Sequence, residues 1–243
     1  MSLALKLALA PLLVAQAMAT KRRAPSLPEA DGPREGRVGE GERLSLLIVG
    51  DSSAAGVGVA TQDEALAGHL TRTLAREAQR RVHWQLLAQS GITTAQALEL
   101  ARRVRPMQAD LAVAVLGVND VIDQVPSQRA VQQRAALADW LRQATGVRHI
   151  VFAPLPPVHH FPLLPQPLRR VMGDDARRHD EAMARWAATR DDVTHLPIAL
   201  DLGPEHMAAD GFHPGEPVYR ATGEALARFI AQRLITNTTE TTP

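Results

Sequence analysis

Between Leu44 and Gly56 the chain reads Leu44-Ser45-Leu46-Leu47-Ile48-Val49-Gly50-Asp51-Ser52-Ser53-Ala54-Ala55-Gly56. The first six residues are apolar apart from Ser45. A run that short and that uninterrupted suits a β-strand covered on both faces, as in a parallel sheet. It breaks at Gly50, and the residues after it carry small polar side chains on a tight turn.

The same alternation repeats downstream. Further short segments, at 82–88, 111–116, 149–153 and 193–196, read as strands. Between and after the strands lie stretches with helical spacing at 65–79, 94–104, 130–145, 168–188 and 218–234. In the first of these, Leu66, Leu70, Leu74 and Ala78 recur at one face; in the third, Val131, Leu137, Trp140 and Leu141 do so. Strands alternating with helices predict an α/β fold with a five-stranded parallel, doubly wound sheet. Such sheets bind ligands beyond the carboxyl ends of their strands. Site residues are therefore sought just after each strand, and four segments meet that demand.

Ser52 follows the first strand, beside Gly50 and before Gly56. A serine lifted on such a turn faces a ligand, although Asp-Ser beside glycine is also ordinary turn chemistry. Gly91, in Ser90-Gly91-Ile92-Thr93-Thr94, follows the second strand. It allows close backbone approach with a free N–H, while Thr93 or Thr94 reads equally as a helix N-cap. Asn119, in Gly117-Val118-Asn119-Asp120, follows the third strand. Its amide either donates to a developing oxyanion or closes an Asx turn. Asp210-Gly211-Phe212-His213-Pro214 precedes the last helix. There one short loop holds an acid and an imidazole close enough for the acid to fix the ring's tautomer. The bland alternative is a solvated loop histidine, one of nine in the chain.

Taken together and in this order, the four segments resemble the conserved blocks of the SGNH/GDSL-type serine hydrolases, a family of esterases and lipases. Gly50-Asp51-Ser52 resembles the first block, Gly91 the second, Gly117 to Asp120 the third, and Asp210 to His213 the fifth. The resemblance spans about residues 44–235. It implies a flavodoxin-like three-layer α/β/α sandwich. It also implies a catalytic triad of Ser52, His213 and Asp210, and an oxyanion hole formed by Ser52, Gly91 and Asn119. The implied activity is hydrolysis of carboxylic esters through an acyl-serine, of lipase, lysophospholipase or arylesterase type, with no cofactor or metal. Only the block alignment selects Ser52 over the adjacent Ser53. Acyl transfer to an alcohol and thioester cleavage use the same residues. A binding protein on an inactive hydrolase scaffold is the rival from another class, and the intact set of five residues argues against it.

Composition sets outer limits. The chain has 243 residues, enough for one sizeable domain with a short appendage. A net charge of +1 gives no field suited to nucleic acid. The absence of cysteine excludes disulfides, cysteine-based metal sites and a cysteine nucleophile. Aromatic residues make up only 3%, few for stacking sugars, and the expected substrate is a small or lipid-like ester. The usual G-x-S-x-G elbow, dinucleotide fingerprint and phosphate loop are missing. His159-His160 lacks the spacing of a zinc site. It lies in the proline-rich stretch 154–167, which reads as a wall or lid of the substrate pocket or as a loop packed on the domain. Arg169, Arg170, Arg177 and Arg178 read as a solvated helix face, or as a contact for anionic lipid.

Residues 1–23 form a hydrophobic segment. Lys6 precedes an apolar run ending in Ala17-Met18-Ala19, like an export signal. Lys21-Arg22-Arg23 then resists translocation. A cleaved signal, an uncleaved anchor and a helix lying in the membrane interface all stay open. So does localisation: exported or periplasmic, inner-membrane-associated, or on the cytoplasmic side. Residues 24–43, rich in Pro, Gly and charge, read as a linker, and 236–243 as a polar, disordered tail. Oligomeric state is not legible.

Overall fold

A computed structural model describes residues 3–199 and 203–235. The tail expected at 236–243 lies outside the described residues.

In chain order the elements are α1 (Leu3–Ala8), α2 (Ala10–Arg23), β1 (Glu35–Val38), β2 (Arg43–Gly50), α3 (Ser52–Ala55) and α4 (Leu66–Ala78). Next come β3 (Arg81–Ala88), α5 (Thr94–Val104), β4 (Leu111–Val115), α6 (Val118–Ile122), α7 (Ser127–Thr145) and β5 (His149–Phe152). The chain continues through α8 (Leu168–Ala187), β6 (Val193–His195) and α9 (Glu216–Phe229), which runs on into a π-helical turn at Ile230–Ile235.

One six-stranded sheet has the order β1-β3-β2-β4-β5-β6. All neighbouring pairs are parallel except β1 with β3. From β2 the chain steps to β3 on one side, then returns to β4 on the other. This reversal is the switch point of a doubly wound sheet, and it opens a crevice beyond the carboxyl ends of β2 and β4. From Leu44 to Gly50 every residue of β2 is buried, as two covered faces require.

The pleat sends alternate residues of β2 to opposite layers. Leu46 and Ile48 pack with Leu66, Leu70 and Leu74 of α4 and with Tyr219 and Leu226 of α9. Leu47 and Val49 pack with Leu98 of α5, Leu137 and Leu141 of α7, and Met183 of α8. Helices thus cover both faces, giving the expected three-layer sandwich. The sheet has one strand more than expected.

The extra strand corrects the reading of residues 24–43 as a linker. Arg37 pairs with His83 and Val38 with Val82, antiparallel at the sheet edge. Upstream, the Ala30 N–H donates to the Ala55 carbonyl, and the Gln62 side-chain amide donates to the carbonyls of both Ala30 and Ala55. Residues 24–43 are therefore strapped to the domain. The strand escaped notice because Glu35-Gly36-Arg37-Val38 has no apolar period; its residues alternate only between exposed and half-buried. Gly36 faces the Trp84 ring, and a methyl group placed on it would lie 3.0 Å from the indole nitrogen.

Candidate active site

At the end of β2, Gly50 must lack a side chain. A methyl group there would lie 2.2 Å from Ala54 Cβ and 2.7 Å from the Val115 carbonyl oxygen. The chain turns at once into α3, a one-turn helix. Asp51 caps it by accepting the Ser53 N–H at 3.0 Å. Ser52 is the first helical residue, so its own N–H is among the helix's unpaired first-turn donors.

The 207–214 loop brings the other two residues of the expected triad to this point. The Ala208 N–H donates to the His213 carbonyl, and the Gly211 N–H to the Ala208 carbonyl. Gly211 adopts φ 64°, the left-handed conformation that glycine tolerates best. His213 Nε2 lies 3.0 Å from Ser52 Oγ, and His213 Nδ1 lies 2.5 Å from Asp210 Oδ2. The other carboxylate oxygen, Oδ1, accepts the backbone N–H groups of Phe212 and His213, each at 2.9 Å. Burial pushes the Asp210 carboxyl up, but these bonds from the ring and the two backbone N–H groups outweigh it and hold the group below the usual carboxylate range. Asp210 is therefore a carboxylate at neutral pH. It acts as acceptor to Nδ1–H and leaves Nε2 facing Ser52. The geometry selects between adjacent serines that the residues alone leave open: the imidazole meets Ser52, while the Ser53 N–H is bound by Asp51.

Asn119 stands in the first turn of α6, after β4. Its side-chain Nδ2 donates to the Ile92 carbonyl at 3.0 Å. That bond fixes which end of the amide is nitrogen and leaves its second N–H unclaimed. Asn119, Ser52 and His213 line the same cleft. Gly91 directly precedes Ile92, whose carbonyl Asn119 binds. It occupies the exposed turn after β3 at φ 79°, and no atom comes within 4 Å of a methyl group placed on it. It is outside the residues lining the cleft, though at the same end of the sheet.

The cleft encloses about 60 Å³, and its walls are mainly apolar. Val115, Val118, Ala153, Pro154 and Phe161 are among the residues that form it. The proline-rich stretch 154–167, expected either as a pocket wall or as a packed loop, lines the cleft and also packs on the domain. Phe161 lines the cleft, while Val158, Phe161 and Leu164 are buried in a cluster with Val121 and Val171. Phe161 packs edge-on against Phe212, with ring centroids 5.1 Å apart, and Phe212 packs likewise on the His213 ring at 5.2 Å.

Sequence reasoning missed the layer beneath. Asp120 is wholly buried, accepting the Thr94 N–H at 2.9 Å and the Thr94 hydroxyl at 2.6 Å. Arg134 of α7 reaches it from below. Asp51 is buried as well; desolvation, with Asp120 nearby, pushes its carboxyl up to about 7. Arg134 carried a usable signal. With Ala130, Leu137, Ala138 and Leu141 it shares the buried face of α7, where an arginine is out of place unless it has a partner.

The chain belongs to the GDSL-like lipase/acylhydrolase family, whose model matches residues 48–221. It is 27% identical over 202 residues to a GDSL-like esterase of Mycobacterium tuberculosis, covering 78% of this chain. The match takes in 62% of that relative's own length. Among solved structures, a Clostridium thermocellum family 3 carbohydrate esterase superimposes with a TM-score of 0.61 at 14% identity, covering 81% of this chain and 99% of that one. The psychrotrophic esterase EstA from Pseudoalteromonas, inhibited by monoethylphosphonate, gives 0.52 at 18% identity, covering 81% and 98%.

Proposed function

We propose that this protein is a serine esterase that cleaves carboxylic esters of short acyl groups through an acyl-serine intermediate. The observation that carries the reading is the hydrogen-bonded chain from Asp210 through His213 to Ser52 at an apolar cleft. His213 Nε2 takes the Ser52 proton as Oγ attacks the ester carbonyl. Asp210 holds the ring's orientation and stabilises the imidazolium. The alcohol leaves with the proton from His213. Water, deprotonated by the same nitrogen, then releases the acid and restores Ser52.

Negative charge on the carbonyl oxygen is met by the Ser52 N–H and the free N–H of the Asn119 amide, which are already oriented before substrate arrives. Gly91 N–H is the third donor in this proposal. Membership of the acylhydrolase family supports the reaction class. Cleft size supports the acyl class: about 60 Å³ compares with about 150 Å³ for a cavity that accepts benzene. The broader expectation of a lipid-like ester narrows to one whose acyl part is small. A binding protein on an inactive scaffold has no use for an imidazole held between a carboxylate and a serine.

The test is turnover of p-nitrophenyl esters of increasing acyl length, together with labelling by a fluorophosphonate and mass spectrometry of the adduct. Acetate to butyrate should be the best substrates, the adduct should map to Ser52, and Ser52→Ala should abolish both signals while Ser53→Ala keeps them. An adduct on Ser53, or an unlabelled protein inert to every ester, overturns the reading.

A further inference from the structure

The N-terminal helices hold an apolar face outward while being fastened to the body. Leu13 is buried in the cluster that contains Phe161 and Val121. Lys6 pairs with Asp175 of α8 at 2.6 Å. The Gln16 side chain closes a two-bond clamp at the start of α8: its Nε2 donates to the Gln166 carbonyl at 2.7 Å, and its Oε1 accepts the Leu168 N–H at 3.1 Å. These contacts fix the face that α1 and α2 present.

On that face Leu7, Val14 and Met18 are 65%, 58% and 52% exposed. Val14 and Met18, four residues apart on α2, form one stripe, and Leu7 of α1 lines the groove beside it. The groove, of about 510 Å³, is closed on the far side by Ile122 of α6 and by Leu168 and Met172 of α8. Ile122 is itself 43% exposed. Large side chains gathered at such exposures on a water-facing surface call for a covering partner.

The charge beside the stripe identifies the partner. Lys21, Arg22 and Arg23 close α2, all exposed, and among the described residues none of the three forms an ion pair. Lys21 and Arg22 stand three and four residues beyond Met18, so they continue its stripe. Three of the arginines of α8 differ from these in being held by neighbours. Arg177 pairs with Asp174 and Glu181, Arg178 pairs with Asp175, and Arg169 donates to the carbonyls of Leu164 and Pro162. An apolar stripe ending in unpaired cations matches a bilayer surface, with acyl chains under the stripe and anionic headgroups at its end. No helix among the described residues is long and apolar enough to cross a membrane, and α2 has only 14 residues.

We infer that α1 and α2, with Ile122 and the adjoining groove, dock this protein on the surface of an anionic lipid membrane, lying in the interface. The docking does not depend on the chemistry at Ser52. It does place the cleft well, because α6 carries Ile122 in the groove and Asn119 in the cleft, and Leu13 packs in the same cluster as Phe161. An ester at the lipid surface then has a short path to the site.

The experiment is flotation of the full chain with vesicles of phosphatidylcholine alone and of phosphatidylcholine mixed with phosphatidylglycerol. Hydrolysis of a water-soluble short-chain ester is measured in parallel, along with sedimentation of the protein without lipid. Wild type should float with the anionic vesicles, far less with the neutral ones, and less at high salt. Reversing the cluster (Lys21→Glu, Arg22→Glu, Arg23→Glu) should cut partitioning on the order of a hundredfold. Val14→Glu with Met18→Glu should abolish flotation; these side chains are exposed, so the fold and soluble-ester turnover should remain. Flotation that ignores both sets of changes, or equal flotation on both vesicle types, overturns the inference. A wild-type dimer that Val14→Glu with Met18→Glu dissociates also overturns it, since the groove then belongs to a second copy of the chain.

Discussion

The guanidinium of Arg134 and the carboxylate of Asp120 lie 3.5 Å apart, with side chains 2% and 0% exposed. Arg134 also donates to the Leu116 carbonyl at 3.4 Å, and a methyl group on Gly117 would lie only 2.0 Å from its terminal nitrogen. The pair therefore sits under the turn that joins β4 to Asn119. Breaking a buried pair by removing one partner leaves an uncompensated charge and costs about 3–5 kcal/mol. Arg134→Met should lose stability on that scale in urea unfolding, while Arg134→Met with Asp120→Asn should recover part of the loss. A single variant within about 1 kcal/mol of wild type would show that the pair contributes little.

Asp51 makes stability depend on pH in the sense opposite to most carboxyl groups. Desolvation, with Asp120 nearby, raises its folded value to about 7, against the N–H groups of Ser53 and Gly117, which favour the carboxylate. Between the ordinary aspartate value of about 3.9 and 7, the folded protein keeps a proton that the unfolded chain has released. Stability then falls as pH rises through this window and levels off above it. Asp210, held below the carboxylate range, gives the reverse: a contribution present at neutral pH that is lost in acid. Asp51→Asn can still accept the Ser53 N–H, and it removes the first dependence. From pH 4 to pH 8 the denaturation midpoint of Asp51→Asn should rise relative to that of wild type. Parallel curves would remove Asp51 as the source.

How much of this was legible follows from which residues obey simple periods. All five parallel strands stand where the short runs in the sequence put them, most plainly β2 and β4, which are buried on both faces and almost wholly apolar. β1 was not legible, since Gly36 and two charged residues hide it and its pairing partner Trp84 is distant in sequence. Ser52 and Asn119 were legible because they follow strand ends directly, where an α/β sheet keeps its site, and Asp210 and His213 because one short loop before the last helix pairs an acid with an imidazole. Choosing Ser52 over Ser53 required the orientation that α3 imposes. Asp120 and Arg134 answer to each other across 14 positions, and no local pattern pairs them. The short helices α3 and α6 are too brief for any periodicity to register.

Asn119 gives a prediction specific to the oxyanion reading. Its amide is held by the Ile92 carbonyl at 3.0 Å, so removing the side chain deletes an oriented donor. Loss of one such donor typically costs about 10²–10³ in kcat. Asn119→Ala should lower kcat by that factor on p-nitrophenyl acetate and leave KM within a few fold. A rise in KM at unchanged kcat would make Asn119 a ground-state binding residue and place the oxyanion elsewhere.

On the proposed esterase reading, Phe161 sets how long an acyl group the cleft accepts. Its ring is 3% exposed, lines the cleft, and packs on Phe212, which in turn packs on His213. Truncating the ring opens space where the acyl chain ends and also removes support behind the histidine. Phe161→Ala should cost about 3–5 kcal/mol of stability, so Phe161→Leu, which keeps most of the apolar packing, is the better probe. Each added methylene that finds apolar room is worth about 1–3 kcal/mol of transition-state binding. The ratio of kcat/KM for p-nitrophenyl octanoate to that for acetate should therefore rise at least about tenfold in Phe161→Leu. If the ratio stays put while both rates fall together, Phe161 acts through Phe212 on the histidine, and the acyl chain leaves the cleft by another wall.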